Sequence, residues 1–432
     1  MKKTVSVVLA TVTLSLGAAV DLGELFASKE AWSESAVDFT VDHARDGFEF
    51  ASQKRDIVNC LTYGASGWRG IPAYESRIYY GAEGATRVEI SLYNRGDDRS
   101  GGALDEAELK TLLAKVAALV EPNGKIGAPS KRKLKNGGFA YVRDWPRADP
   151  AVELAWGMTG ERKGARTADY VRLTLTPKAE SRPKGAAKTV SGSAAKAQVK
   201  ANVTKNAEGD VFIKNVPMVD QGQKGYCAVA TSERVLRYYG QTVDEHELAQ
   251  MAGSTAEGGT NIREMRETVR EVGSKCRLGY VEIVTFSSNL RDLEQEVADY
   301  NREAKTAKEP TLSIDDFTEG NLIHIGSIRA AMKPKVLKKM RMKDTRFKRF
   351  LAGVKTQVDQ GVPVIWGVTL GIFPEPGLPQ SSGGHLRLII GYNAKTKEIL
   401  YSDSWGAGHE LKRMPEDWAF AITHDAFYLK PL

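Results

Sequence analysis

Apolar and polar positions sort the chain into four stretches. The first, Val5 to Leu16, is a mostly apolar run broken only by Ser and Thr, with Lys2 and Lys3 ahead of it and Gly17-Ala18-Ala19 behind. A positive start, a short apolar run and small residues mark a secretory signal peptide over residues 1–19, cut before Val20. Spanning a bilayer takes ~20 apolar residues, more than this run supplies. The mature protein is therefore expected to be periplasmic or secreted.

Residues 22–177 predict an α+β domain. Arg87 to Tyr93 alternates polar and apolar side chains, as a half-buried strand does. Leu109, Leu112, Leu113, Val116 and Val120 share one helical face, predicting a helix over Leu104 to Val120 that Pro122 ends. Phe139 to Trp145, Val152 to Trp156 and Tyr170 to Thr176 read as further strands. No motif here carries chemistry and no repeat is visible, so the domain is expected to be pro-domain-like or a recognition module. In residues 178–208, Ala, Lys, Ser and Gly dominate and Val is the only large apolar residue. That composition cannot bury a core and predicts a flexible basic linker, open to proteolysis.

The apolar pattern returns over residues 209–432, a length suited to one catalytic domain. A helix is predicted over Cys227 to Tyr239, stopped by Gly240, and a second over Asn261 to Val272 after the turn Gly258-Gly259-Thr260. Val362 to Leu370 is a strongly apolar strand. Leu386 to Gly391 and Ile399 to Asp403 flank Asn393-Ala394-Lys395 and read as a hairpin.

Composition adds little: 42% hydrophobic and 27% charged residues exclude a disordered or fibrous chain. The net charge of +7 matters only where it clusters, and it does. Lys333 to Arg349 carries nine basic residues against Asp344, a local +8 that exceeds the whole chain's charge. Val336, Leu337, Met340, Phe347 and Phe350 give this segment a partial apolar face. It reads as a solvated helix beside the core, with a docking patch for an acidic protein, anionic lipid or cell-wall polymer as the alternative. No nucleic-acid motif accompanies it, and no later stretch reaches transmembrane length. Three cysteines, Cys60, Cys227 and Cys276, are too few for a disulfide framework. Cys60 and Cys276 could pair, but they fall in different predicted domains.

Cys227 is the thiol whose surroundings point to chemistry. A free thiol, with a pKa of about 8.5, is mostly protonated at neutral pH, and a helix N-terminus favours the thiolate. Cys227 opens its predicted helix. Six residues earlier stands Gln221, in Asp220-Gln221-Gly222-Gln223-Lys224-Gly225-Tyr226-Cys227. A glutamine amide and the nucleophile's own N–H supply the two donors that a tetrahedral oxyanion needs. Gln223 competes for this role, but the spacing favours Gln221. Read alone, a free cysteine is more often an inert buried thiol.

Val216 to Gln221, Cys227-Ala228-Val229-Ala230 and Leu236 to Gly240 together resemble the opening of the bacteriocin-processing (double-glycine leader) peptidase family and its relatives, in the papain clan. Gly258 to Asn261 and Gly361 to Ile365 resemble that family's later turn and central strand. The resemblance covers the C-terminal half only. Many members have Gly after the cysteine, where this chain has Ala228. It implies an α+β, papain-like fold, with a helix bearing the cysteine packed on an antiparallel sheet bearing His and Asp.

His385 follows Gly383-Gly384 and begins the first strand of the hairpin; Asp403 ends the second. A hairpin centred on Ala394 pairs residues whose numbers sum to 788, which sets His385 opposite Asp403. A one-residue slip would spoil that pairing. Asp403-Ser404-Trp405-Gly406 resembles papain's Asn-Ser-Trp-Gly, and the bacteriocin-processing relatives use Asp there. By the same resemblance, Trp405 shields the His–Asp hydrogen bond from water. His324 lies in an apolar stretch and reads as a core or edge residue, whereas His43, His246, His409 and His424 sit in polar contexts that predict exposure. No His or Cys pair shows metal-ligand spacing, so no metal or other cofactor is expected.

These residues predict an exported cysteine peptidase acting on a peptide or protein substrate. Cys227 would attack, His385 act as base, Asp403 orient His385 and Gln221 stabilise the oxyanion. A cell-wall peptide amidase or transpeptidase is the alternative enzyme, disfavoured by the separation of 158 positions from Cys227 to His385. A binding protein on a retired protease scaffold is the third reading, and the intact set of four residues argues against it.

Overall fold

The computed structural model describes residues 20–96, 104–122, 128–133, 139–159, 166–177, 199–222, 226–241, 245–252, 262–286, 289–320 and 322–432. The signal peptide, Gln223, the turn Gly258 to Asn261 and most of the predicted linker lie outside these residues.

The N-terminal half is built on an antiparallel sheet. Its strands are β1 (Glu49–Phe50), β2 (Ile57–Cys60), β3 (Glu75–Gly81), β4 (Gly84–Asn94), β5 (Ser130–Lys133), β6 (Phe139–Trp145), β7 (Ala151–Thr159) and β8 (Thr167–Thr176), in the order β1-β2-β3-β4-β8-β7-β6-β5. Strand alternation gives this sheet two unlike faces. Ile78, Val88, Ile90, Leu154, Leu173 and Leu175 point into a core shared with Phe26, Phe39, Trp68 and helix α1 (Glu106–Val120). Asp105 and Glu108 start α1 with a reciprocal capping box.

The other face carries Glu75, Arg77, Tyr79, Glu89, Ser91 and Arg172, and several of these side chains are buried. It lies against two helices of the C-terminal half, α2 (Cys227–Tyr238) and α3 (Glu245–Met251). Tyr226 donates from its hydroxyl to Asn94 Oδ1 at 2.8 Å, Ser91 Oγ meets His246 Nε2 at 3.3 Å, and Gln250 donates to Asp169 Oδ2 at 2.7 Å. Arg77 reaches the Asp220 carbonyl at 3.2 Å. The polar side of a half-buried strand here faces another part of the same chain. Gly157 on β7 tests this packing, because a Cβ there would lie 2.6 Å from Gln250 Oε1. Gly157→Val is expected to loosen α3 from the sheet, seen as faster limited proteolysis of the folded protein; an unchanged digestion rate would count against tight docking.

The C-terminal half follows with β9 (Val203–Lys205), β10 (Asp210–Ile213), α4 (Ile262–Lys275), β11 (Leu278–Thr285), α5 (Leu290–Ala307), α6 (Ile325–Ala331), α7 (Pro334–Met342), α8 (Arg346–Asp359), β12 (Val364–Leu370), β13 (Gly383–Asn393), β14 (Glu398–Ser402), β15 (Lys412–Pro415), α9 (Glu416–Ile422) and β16 (Thr423–Pro431). The strand order is β9-β10-β13-β12-β16-β11, with β14 beside β13 and β15 beside β14. All seven residues of β12 are buried, as expected of its unbroken apolar sequence. Helix α2 packs on β13, giving the predicted arrangement of a cysteine-bearing helix on an antiparallel sheet. Gly240, at φ +74°, ends α2 in the left-handed conformation that glycine adopts without strain.

Two expectations change. The predicted linker reaches residue 208, yet Val203–Lys205 is strand β9, paired with β10. An edge strand is held by backbone hydrogen bonds, which apolar composition does not reveal. In the basic segment, Arg341 is buried against Glu296 at 2.6 Å, Lys339 and Lys343 both meet Glu303, Lys338 meets Asp417 at 3.1 Å, and Arg346 meets Asp344 at 2.6 Å. Much of the local charge is thus answered by acids of α5, α9 and the α7–α8 connection, so the segment is neither a plain solvated helix nor an open basic surface.

No disulfide joins Cys60, Cys227 or Cys276, so Cys60 and Cys276 do not pair. Among the described residues no helix is long and apolar enough to cross a membrane.

Candidate active site

Cys227 is the first residue of α2 and is partly exposed. Tyr226 occupies the cap position and its side chain makes no capping bond, leaving the first-turn N–H groups to other acceptors. Tyr226 is held from the N-terminal half by Asn94, and Gly96 lies so near that a Cβ there would stand 2.1 Å from the Tyr226 hydroxyl. Burial alone would push the Cys227 thiol up. The neighbouring His385 imidazole, and the backbone N–H groups of Leu386 and Ala228, outweigh it and hold the thiol below its ordinary pKa.

His385, on β13, and Asp403, just past β14, are both fully buried. His385 Nε2 lies 2.9 Å from Asp403 Oδ1. The other ring nitrogen, Nδ1, has no well-formed hydrogen bond and is the one left for the thiol. Burial disfavours the imidazolium, but Asp403 and Cys227 together raise the His385 pKa above its usual value. The Trp405 ring stacks flat on the His385 ring, with centroids 4.3 Å apart and planes 3° from parallel. It covers one face of the imidazole, where shielding was expected.

The register of the hairpin differs from the prediction. Leu388 stands opposite Ser402, and after a bulge Gly391 stands opposite Leu400. The turn takes four residues, 394–397, because the Asn393 side-chain Oδ1 accepts from the N–H groups of both Lys395 and Thr396. Extending the pairing sets Arg387, not His385, level with Asp403. Arg387 Nε is indeed 3.0 Å from Asp403 Oδ1, while His385 reaches the same oxygen from two residues away.

Gln221 is buried, and its N–H donates to the Ser404 carbonyl at 2.8 Å, which fixes it beside the residue after Asp403. Two polar residues of α2, both missed in the sequence, complete the frame. Thr231 donates to the Leu386 carbonyl at 2.9 Å and lies 3.2 Å from Ser404 Oγ. Arg234, fully buried, donates to the Pro217 carbonyl at 2.7 Å, the Asp403 carbonyl at 2.8 Å and Ser402 Oγ. Cys227, Thr231 and Arg234 stand at i, i+4 and i+7 on one helical face, a polar stripe that was the available signal.

The remaining histidines lie elsewhere. His246 is buried at the contact between the two halves, and not exposed as predicted. His424 contacts Arg329 and Thr369, with burial and the charges of Arg329 and Arg341 pushing its pKa well down. His324 is exposed beside a two-residue strand, Leu322–Ile323. The carbonyl of His409 accepts from the Asp403 N–H at 2.9 Å.

The Peptidase C39 family matches residues 215–300, and the Peptidase_C39 like family matches residues 335–426. The first match spans Gln221 and Cys227, the second His385 and Asp403. The C-terminal half is a cysteine-type peptidase domain.

Solved structures similar to the peptidase domain include the three that follow. One is a double glycine motif protease from an AMS/PCAT transporter in complex with the leader peptide: 14% identity, TM-score 0.25, covering 50% of this chain and 93% of the other. Another is the peptidase domain of Streptococcus ComA, a bi-functional ABC transporter involved in a quorum sensing pathway: 12% identity, TM-score 0.25, covering 50% of this chain and all of the other. The third is xylellain, a cysteine protease from Xylella fastidiosa: 12% identity, TM-score 0.27, covering 54% of this chain and 89% of the other. Likenesses this distant decide nothing on their own. No curated protein matches the chain.

Proposed function

We propose that the protein is an exported cysteine peptidase that hydrolyses peptide bonds through Cys227, His385 and Asp403, with Gln221 at the oxyanion. The observation that carries this reading is the buried His385–Asp403 pair beside a thiol with a depressed pKa. The Cys227 thiolate attacks the scissile carbonyl carbon, and the developing oxyanion is met by the Gln221 amide and the Cys227 N–H. The imidazolium passes a proton from Nδ1 to the leaving amine. Water then attacks the thioester with His385 as base, and the thiol is regenerated.

The test is labelling of Cys227 by iodoacetamide across pH. A lowered thiol pKa means that the reactive thiolate persists below the free-thiol value of about 8.5 and is lost as pH falls through the folded value. His385→Ala should move the profile to or above the free-thiol value, because burial remains while the imidazolium is gone. A wild-type Cys227 that labels no faster than free cysteine at pH 6 would sink the nucleophile assignment. Gln221→Ala should leave labelling nearly intact and lower kcat by about 10²–10³-fold, the usual loss for one oxyanion donor.

Export rests on residues 1–19. Val20, the expected first mature residue, pairs with Ser66 in a short parallel strand. Amino-terminal sequencing of the protein from culture medium or periplasm should begin at Val20; an intact Met1 there would overturn the cleavage. The contacts of Asn94 and Arg77 with Tyr226 and Asp220 favour an N-terminal half that steadies the nucleophile helix. A peptide substrate follows from the chemistry, and an acidic partner for the basic segment would have to use Lys333, Lys335, Lys348 and Arg349, which lie outside the ion pairs described above.

A further inference from the structure

We propose that Arg387, braced by Glu375, is a positioning residue that holds the Asp403 carboxylate in place against His385. This rests on the peptidase reading above and adds two residues to it. Arg387 is fully buried on β13, one of the costliest places for a cation. Among the described residues two carboxylates flank it: Nη1 bonds Glu375 Oε2 at 2.7 Å, and Nε stands 3.0 Å from Asp403 Oδ1. The hydroxyl of Tyr401 donates to the same Glu375 oxygen at 2.6 Å, fixing that carboxylate from behind. The rings of Tyr401 and Trp366 enclose the guanidinium, with centroids 4.5 and 5.5 Å from its central carbon.

The result is an unbroken alternation of sign: Glu375, Arg387, Asp403, His385, Cys227. Asp403 needs it. A carboxylate without solvent access is driven to take up a proton, and a neutral Asp403 no longer stabilises an imidazolium. Burial is the largest influence on Asp403 and raises its pKa; the Arg387 charge is the largest of the opposing influences, ahead of His385 and Lys412, and together they keep Asp403 below the usual carboxylate range. Arg234, His409 and Tyr401 also face Asp403, but Arg234 bonds its carbonyl, His409 has a lowered pKa, and Tyr401 is occupied by Glu375. Among the described residues Asp403 Oδ2, Arg387 Nε and Arg387 Nη2 carry no well-formed hydrogen bond, so Arg387 acts on Asp403 by charge at a single shared oxygen and leaves His385 its bond. Glu375 draws the guanidinium the other way and keeps it from capturing Asp403 altogether.

The experiment measures the iodoacetamide labelling rate of Cys227 against pH in the full chain carrying Arg387→Gln, Arg387→Lys or Glu375→Gln. In Arg387→Gln the midpoint is expected to rise by about one pH unit, so that labelling at pH 6 falls about tenfold. Arg387→Lys should recover at least half of that shift, which a role in packing alone would not produce. Glu375→Gln leaves Arg387 in place and serves if Arg387→Gln does not fold. It should raise the midpoint by a smaller amount, about threefold in rate, as Asp403 is drawn from His385. Midpoints in Arg387→Gln and Glu375→Gln that superimpose on the wild type, or move down, would overturn the proposal. If wild-type Cys227 itself labels like a free thiol, the peptidase reading falls, and this proposal with it.

Discussion

Cys227→Ala is expected to lower kcat/KM on a cleaved peptide by at least about 10⁴-fold, and His385→Ala by nearly as much, with the double variant no worse than either alone. The equality is the informative part. Without its thiol, His385 has no nucleophile to activate. Without its imidazole, Cys227 is a partly buried thiol whose pKa burial raises, and no acid remains to protonate the leaving amine. The two residues act as one unit, so their effects cannot add. Asp403→Asn sits apart from this pair. An asparagine could still accept from His385 Nε2, but it would leave the buried Arg387 with Glu375 alone and lose the charge that favours the imidazolium. Its loss of activity should therefore come with a loss of stability, which the Cys227 and His385 variants need not show. Steady-state kinetics alongside thermal unfolding separate these outcomes. Residual activity above about 1% of wild type in Cys227→Ala would mean that another group performs the attack.

The parts of the site that were legible in the sequence sit where a local pattern changes. Cys227 opens an apolar-striped helix, Gln221 precedes it by a fixed spacing, and His385 and Asp403 end the two arms of a hairpin. The hairpin itself was right and its register was wrong, because one side chain, Asn393, widened the turn to four residues. The His385–Asp403 contact survived because an Nε2-to-carboxylate reach tolerates a diagonal as well as a direct pairing. Arg387 was visible as a lone charge inside Leu-Arg-Leu-Ile-Ile, but such a residue has the same signature on a solvated strand face. Only the third dimension shows Glu375 and Asp403 around it. The same limit hid the contact between the two halves. Polar alternation in β3 and β4 tells that one face is not a hydrophobic core, and it does not tell whether water or another polar surface covers that face.

Arg234→Met is expected to destabilise the protein by about 3–5 kcal/mol, close to the removal of a whole buried side chain, although methionine fills much of the same volume. Arg234 is a buried cation satisfied chiefly by neutral oxygens: the Pro217 and Asp403 carbonyls and Ser402 Oγ. Burial brings its pKa down to about 10 against the pull of Asp403, so it stays charged at neutral pH. Its charge strengthens each of these hydrogen bonds, and methionine leaves every one of those acceptors without a donor in a site water does not reach. At about 2–4 °C per kcal/mol for a domain of this size, the melting temperature should fall by roughly 10 °C. The segments released are the ones that matter to the chemistry. Pro217 leads into Gln221, and Ser402 and Asp403 close β14, so one guanidinium ties the strand carrying the aspartate and the approach to the oxyanion donor to the helix carrying the thiol. Arg234→Lys should recover little, since a single ammonium cannot span three acceptors on different segments. Loss of stability with an unchanged labelling profile of Cys227, measured well below the melting temperature, would show that Arg234 supports the fold alone. A flattened profile in folded protein would show that the frame and the thiol are mechanically one.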